Sequence, residues 1–224
     1  MKNFSQVAFV TFSGNIELKK GSRINVTGKY ALSINSENGN IVIQTDINMT
    51  CNEENIHSTC LGGFTQSLNE TRSIYKGLGP GGLNYISLSV PVFALAHFCL
   101  PGSSHGGNVP PISAFEVGDS YDKENLGTFL GGSGGSCRNQ RKGAAGGGAI
   151  ELVSKTGSIS IDATIIASAS RSGTGCSGGS GGLIRLKAEQ VFCLKSQCEK
   201  TVVQVVFRRY DTVLVNRTIL HDFR

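Results

Sequence analysis

Arg185-Leu186-Lys187 is the sharpest pairing of chemistry-bearing side chains in this 224-residue chain. Two residues apart on an extended strand, the cations share one face. There they could touch an acidic sugar, although a solvent-facing alternation produces the same spacing. Arg185 and Lys187 are therefore candidate ligand contacts. Glu151 and Asp162 fall on alternating runs, and polysaccharide lyases and hydrolases need such carboxylates clustered with a cation or base. Neither paired aspartates nor a nucleophile elbow is recognisable, so no catalytic residue is assigned. Glu116, Asp119, Asp122 and Glu124 form an acidic run that could collect a hard cation or simply face water. His57, His97, His105 and His221 are dispersed, and no C-x₂-C spacing occurs, so no metal site is assigned and no cofactor is expected.

Gly131-Gly-Ser-Gly-Gly135 and Gly178-Gly-Ser-Gly-Gly182 invite a phosphate-loop reading. Such a loop needs Gly-Lys-[Ser/Thr] opening a helix, whereas Cys137 and Arg138 follow the first cluster and a strand-like run follows the second. Close backbone approach is the better physical use of these glycines. The basic clusters Arg138/Arg141/Lys142 and Arg208/Arg209 have no interleaved aromatics, so neither a nucleotide nor a nucleic acid is an expected partner.

Sequons and cysteines point to an oxidising, extracellular setting. Four N-x-[ST] sites stand at Asn25, Asn48, Asn69 and Asn216, which are the expected glycan acceptors. Cys51 and Cys60 bracket a polar loop, Cys193 and Cys198 a shorter one, and both pairs are expected as disulfides. With seven cysteines, Cys99, Cys137 and Cys176 cannot all pair within the chain. The run from Val7 to Phe12 is too short for the apolar part of a signal peptide. The apolar stretch Ile86–Leu100 contains Pro91 and His97 and is shorter than the roughly 20 residues a bilayer requires. A secreted protein is expected, with the chain a segment of something larger and any membrane attachment lying in regions missing from it.

The elements that must position these residues are strands. Thirty glycines, no Trp and 17% charged residues favour many short strands joined by turns. Alternating runs at Ile24–Val26 and Ile41–Ile43 lie among turn residues such as Asn38-Gly39, which suits a hairpin or a tight corner. Residues 51–83 and 102–147 read as loop-rich excursions, and residues 102–182 hold 20 of the 30 glycines. A repeat Gly-x-Ile-x-[Leu/Ile] starts at Gly14, Gly39, Gly148, Gly157 and Gly182. One strand-sized unit per copy is what a β-solenoid requires, although a β-meander also produces the alternation. The solenoid reading turns Ile16, Leu18, Ile41, Ile43, Ile150, Leu152, Ile159, Ile161, Ile184 and Leu186 inward. It turns Glu17, Val42, Glu151, Ser160 and Arg185 outward, with apolar Val42 better suited to a second layer or a sandwich.

The order of clusters Ser104-His-Gly-Gly107, Ser120-Tyr121, Leu130–Gly135, Gly146–Leu152, Gly157–Asp162 and Gly178–Leu186 resembles a family of large glycine-rich extracellular proteins. They are known in plants, with similar segments in protists, invertebrates and bacteria. The match covers residues 105–191 best; Ala163 and Ala167–Ser170 depart from it. The resemblance implies a right-handed parallel β-helix of the pectin-lyase-like type and an extracellular location. It supplies no catalytic residues. The expectation is one all-β solenoid segment spanning residues 1–224, with a β-sandwich as alternative. Its expected role is a non-enzymatic structural, adhesion or surface-recognition element meeting extracellular glycans or matrix proteins. A carbohydrate-active enzyme or carbohydrate-binding module on the same fold is the competing reading.

Overall fold

A computed structural model describes residues 7–22, 24–26, 28–50, 61–71, 74–86, 100, 102–103, 115–118, 129–138, 143–172, 176–193 and 202–207. The described residues hold strands and no helix. Strands β1 (Val7–Phe12), β2 (Ile16–Leu18) and β3 (Ile24–Asn25) make a first tier. Strands β4 (Ala31–Ser36), β5 (Ile41–Ile43) and β6 (Ile47–Asn48) make a second. An excursion follows, holding β7 (Gln66–Thr71), β8 (Ile74–Gly77), β9 (Leu83–Ile86), β10 (Phe115–Val117) and β11 (Cys137–Arg138). The third tier is β12 (Ala149–Ser154), β13 (Ser158–Ile161) and β14 (Ile165–Ile166). A fourth has β15 (Leu183–Ala188) and β16 (Gln190–Cys193), and β17 (Val202–Phe207) comes last.

Successive strands of a tier enter different sheets, and the tiers repeat that order. The three main sheets run β1-β4-β12-β15-β17, β2-β5-β13-β16 and β3-β6-β14. Every pairing within them is parallel. Inside the excursion the pairings β7–β8, β8–β11 and β9–β10 are antiparallel.

Parallel register stacks like on like. In the first sheet Val10, Ile34, Leu152, Leu186 and Val205 share one ladder position. In the second, Ile16, Ile41, Ile159 and Val191 share one position, and Leu18, Ile43, Ile161 and Cys193 the next. In the third, Ile24, Ile47 and Ile165 align. One aliphatic core draws on all three sheets. Burying each branched side chain contributes roughly 1.5–3 kcal/mol, enough for the ladders to dominate local preferences. Of the ten residues expected inside, nine are buried and Leu18 is partly so.

The repeat splits into two kinds. The copies at Gly14, Gly39 and Gly157 lead into the second sheet, whereas those at Gly148 and Gly182 lead into the first. At the corner before the second sheet, the Asn40 N–H donates to Asn15 Oδ1 and the Ser158 N–H donates to Asn40 Oδ1, each at 2.8 Å. A Cβ on Gly39 would lie 2.5 Å from Asn15 Oδ1, and one on Gly157 2.5 Å from Asn40 Oδ1. The tiers approach so closely there that only glycine fits.

Glu151 and Arg185 correct the expected outer face. Alternation does place them opposite the core, but both are buried, because β12 is buried on both faces and β15 nearly so. Phe129 is the described residue that packs on this face, against Ala31, Ala149 and Leu183 and over Arg185. The glycine clusters that follow it pack chiefly on one another. The N–H groups of Gly131, Gly132 and Ser133 donate to Gly62 O, Gly147 O and Ser180 Oγ. Those of Gly134, Gly135 and Ser136 then donate to Leu78 O, Ala144 O and Ser177 Oγ. Two of the three recipient segments, 144–147 and 177–180, recur every third residue, the symmetry of a polyproline-II-type chain, which makes no internal hydrogen bonds and must find partners outside itself. Added Cβ atoms on Gly131, Gly132, Gly134 and Gly135 would overlap carbonyl oxygens of Gly147, Ser180, Thr65 and Ser177. The cluster at residues 131–136 is thus a buried packing thread.

Two paired substitutions test this architecture. Ile161→Asp should cost more than about 3 kcal/mol, since it places a charge in the core. Ser160→Asp, half-buried on the other face, should stay within about 1 kcal/mol by urea denaturation. Likewise Gly134→Ala should cost about 3 kcal/mol, whereas Gly178→Ala, with nothing within 4 Å of its added Cβ, should melt like the parent.

Candidate functional site

The largest charged cluster among the described residues lies on the face of the first sheet where Phe129 packs. Register sets Ser33, Glu151 and Arg185 side by side on β4, β12 and β15. One Glu151 carboxylate oxygen accepts from Ser33 Oγ at 2.8 Å. The other lies 2.6 Å from Lys187 Nζ and 3.7 Å from Arg185 Nη1. The Arg185 guanidinium also sits over the Phe129 ring, 5.2 Å from its centroid, a distance at which cation and ring attract. Side-chain exposure is 4% for Arg185, 10% for Glu151 and 28% for Lys187.

The structure therefore brings both candidate contacts together and gives them a shared carboxylate. Glu151 is engaged by a hydroxyl and two cations, an arrangement that neutralises buried charge inside the molecule. Lys187 is the member that reaches furthest toward solvent. Ser33 and Phe129 were not legible as partners. Alternation in Ala31–Ser36 marks Ser33 as an outer-face residue, but nothing in the sequence ties Phe129 to that sheet. Asp162 is half-buried beyond the end of β13, and Glu116 is exposed on β10. Among the described residues no three or more His, Cys, Asp or Glu side chains group as metal ligands would. Asp119, Asp122, Glu124 and all four histidines lie outside the described residues.

A disulfide joins Cys137 to Cys176, with Cα atoms 4.3 Å apart. It sits one residue beyond the Ser136–Ser177 contact and clamps two glycine threads together. Cys51, Cys60, Cys198 and Cys99 lie outside the described residues, so the two short-loop pairings do too. Of the sequon asparagines, Asn48 is exposed on β6, and its Oδ1 accepts the Thr50 N–H at 2.9 Å. The backbones of Asn25 and Asn69 lie in β3 and β7, and Asn216 is outside the described residues.

Comparison with protein-family models, with curated proteins and with solved structures finds no match.

Removing Glu151 should destabilise more than removing Lys187. Glu151→Ala strips a buried guanidinium of this carboxylate and should cost about 3–5 kcal/mol. Lys187→Ala should cost about 1 kcal/mol, because a partly exposed ammonium is partly solvated already. Equal losses in chemical denaturation would contradict this layout. Non-reducing peptide mapping should recover Cys137 and Cys176 in one bridged fragment. Cys137→Ser should cost about 4 kcal/mol, the loop-closure value for the 39-residue separation.

Proposed function

We propose that the chain is a non-enzymatic, extracellular structural or surface-recognition segment built as a right-handed parallel β-solenoid. The observation that carries the reading is the repetition of three strands into three parallel sheets, in the same order and register, tier after tier. Parallel pairing favours a solenoid over an antiparallel sandwich, because each tier must return to its starting sheet before the next begins. The resemblance of residues 105–191 to glycine-rich extracellular β-helix proteins supports the same reading. So does the Cys137–Cys176 bond, since disulfides persist in oxidising compartments.

A solenoid of this kind is a spacer or a surface. Its rigidity comes from ladders, and its outer faces are available to glycans or matrix proteins. The buried polar groups of the glycine threads bond to one another, which is the economy of a scaffold. Extracellular glycans are the partners proposed, with no nucleotide or nucleic acid role.

Expression through a eukaryotic secretory pathway tests this. The chain should leave the cell carrying an endoglycosidase-sensitive glycan on Asn48. Incubated with acidic and neutral polysaccharides, it should release no new reducing ends or unsaturated products. Turnover that disappears in Lys187→Ala would replace the structural reading with the enzymatic one, and retention as an unglycosylated intracellular protein would remove the compartment.

A further inference from the structure

We infer that the open face of the first tier is a docking surface for one more tier of the same build: an uncharged strand, then a corner bearing Gly-Asn. The inference rests on the stacked-tier reading proposed above.

Three features at one end of the stack carry it. The first is the unfinished ladder. Val10 continues the row of Ile34 and Leu152, yet Val10 is 43% exposed and Phe12 47%, while Phe9 on the opposite face is 69% exposed. β1 pairs with β4 over six residues in unbroken register. It reads Val-Ala-Phe-Val-Thr-Phe, with neither charge nor Pro, two of the devices that normally guard an edge strand. The second is Gly14. At the same corner one and two tiers on, Gly39 and Gly157 are held to glycine by an asparagine oxygen of the preceding tier, 2.5 Å from where Cβ would be. Gly14 has nothing within 4 Å of that point and no left-handed backbone angle, so neither space nor conformation within the described structure calls for glycine there. The third is Asn15. The Asn40 and Ser158 N–H groups each donate to the side-chain oxygen of the asparagine one tier before. Among the described residues no acceptor meets the Asn15 N–H.

These features define the occupant's chemistry. A strand adding to β1 in parallel would cover Val10 and Phe12 and bond the edge of β1 that no other described strand pairs. An asparagine at its corner would supply the acceptor for Asn15 N–H and lie against Gly14, as Asn15 lies against Gly39. An unrelated apolar ligand would cover the ladder but would use neither Gly14 nor Asn15.

The probe is a synthetic peptide with the sequence of residues 28–50, the second tier, titrated onto the full chain. Hydrogen exchange across residues 7–18 is the readout. Exchange at these amides should slow at least tenfold at saturation, and an Asn40→Ala peptide should bind at least tenfold more weakly. The Gly14→Ala chain should melt at the parent temperature yet lose the protection, and Val10→Lys should lose it as well. Protection that is equal in Gly14→Ala, or absent in the parent at saturating peptide, overturns the proposal. Protection that rises with the concentration of the chain alone overturns it too, making the occupant a second copy. Amides at Asn40 and Ser158 report the stacked tiers themselves. If they stay protected while residues 7–18 exchange freely, docking fails and the solenoid reading stands.

Discussion

Parallel register is the constraint on which the rest of the structure depends. A parallel pair aligns residue with residue along the strands, so a tier that places Ile at a position asks the next tier for an aliphatic side chain at that place. Ile16, Ile41 and Ile159 meet that demand in the second sheet, and Ile34, Leu152 and Leu186 meet it in the first. A slip of one residue would turn every member of a ladder outward. The corner asparagines reinforce the same register by a different force. Their side-chain oxygens reach the N–H of the next tier only when the glycines lie directly over one another.

A second constraint comes from the glycine threads. Backbone buried outside a ladder must still satisfy its N–H groups. The thread at residues 131–136 does so with a period of three, each N–H meeting a neighbour on a different side. That solution excludes side chains larger than hydrogen where threads touch, while the serine at every third place supplies an acceptor oxygen. Gly-Gly-Ser is therefore a packing code, as the Gly-X-Y triplet is in collagen, where chains also meet around glycine. The Cys137–Cys176 bond closes the same pair of threads covalently.

The charged cluster is a consequence of burial on the outer face of β12 and β15. There Glu151 and Arg185 lose most of their water. Their mutual placement, with Lys187, Ser33 and Phe129, offsets the desolvation that burial imposes. The same pair on a sheet face open to water would have been an ordinary solvated alternation.

By itself the sequence determined the strand-rich character, the alternation that sends nine of ten chosen aliphatic residues into the core, and the use of glycine clusters for close approach. These are local properties: a two-residue period and a missing Cβ act within a few residues of themselves. The triplet Gly-Gly-Ser was also visible, but its period of three acquires meaning only when three neighbouring threads are in place. Tertiary structure alone decided that the five repeat copies fall into two sheets, and that Cys137 finds Cys176. It also decided that Arg185 is buried over Phe129. Each joins residues tens of positions apart across an excursion whose path no local periodicity encodes. Alternation says which face a side chain takes, but only the packing of a distant segment says whether that face meets water.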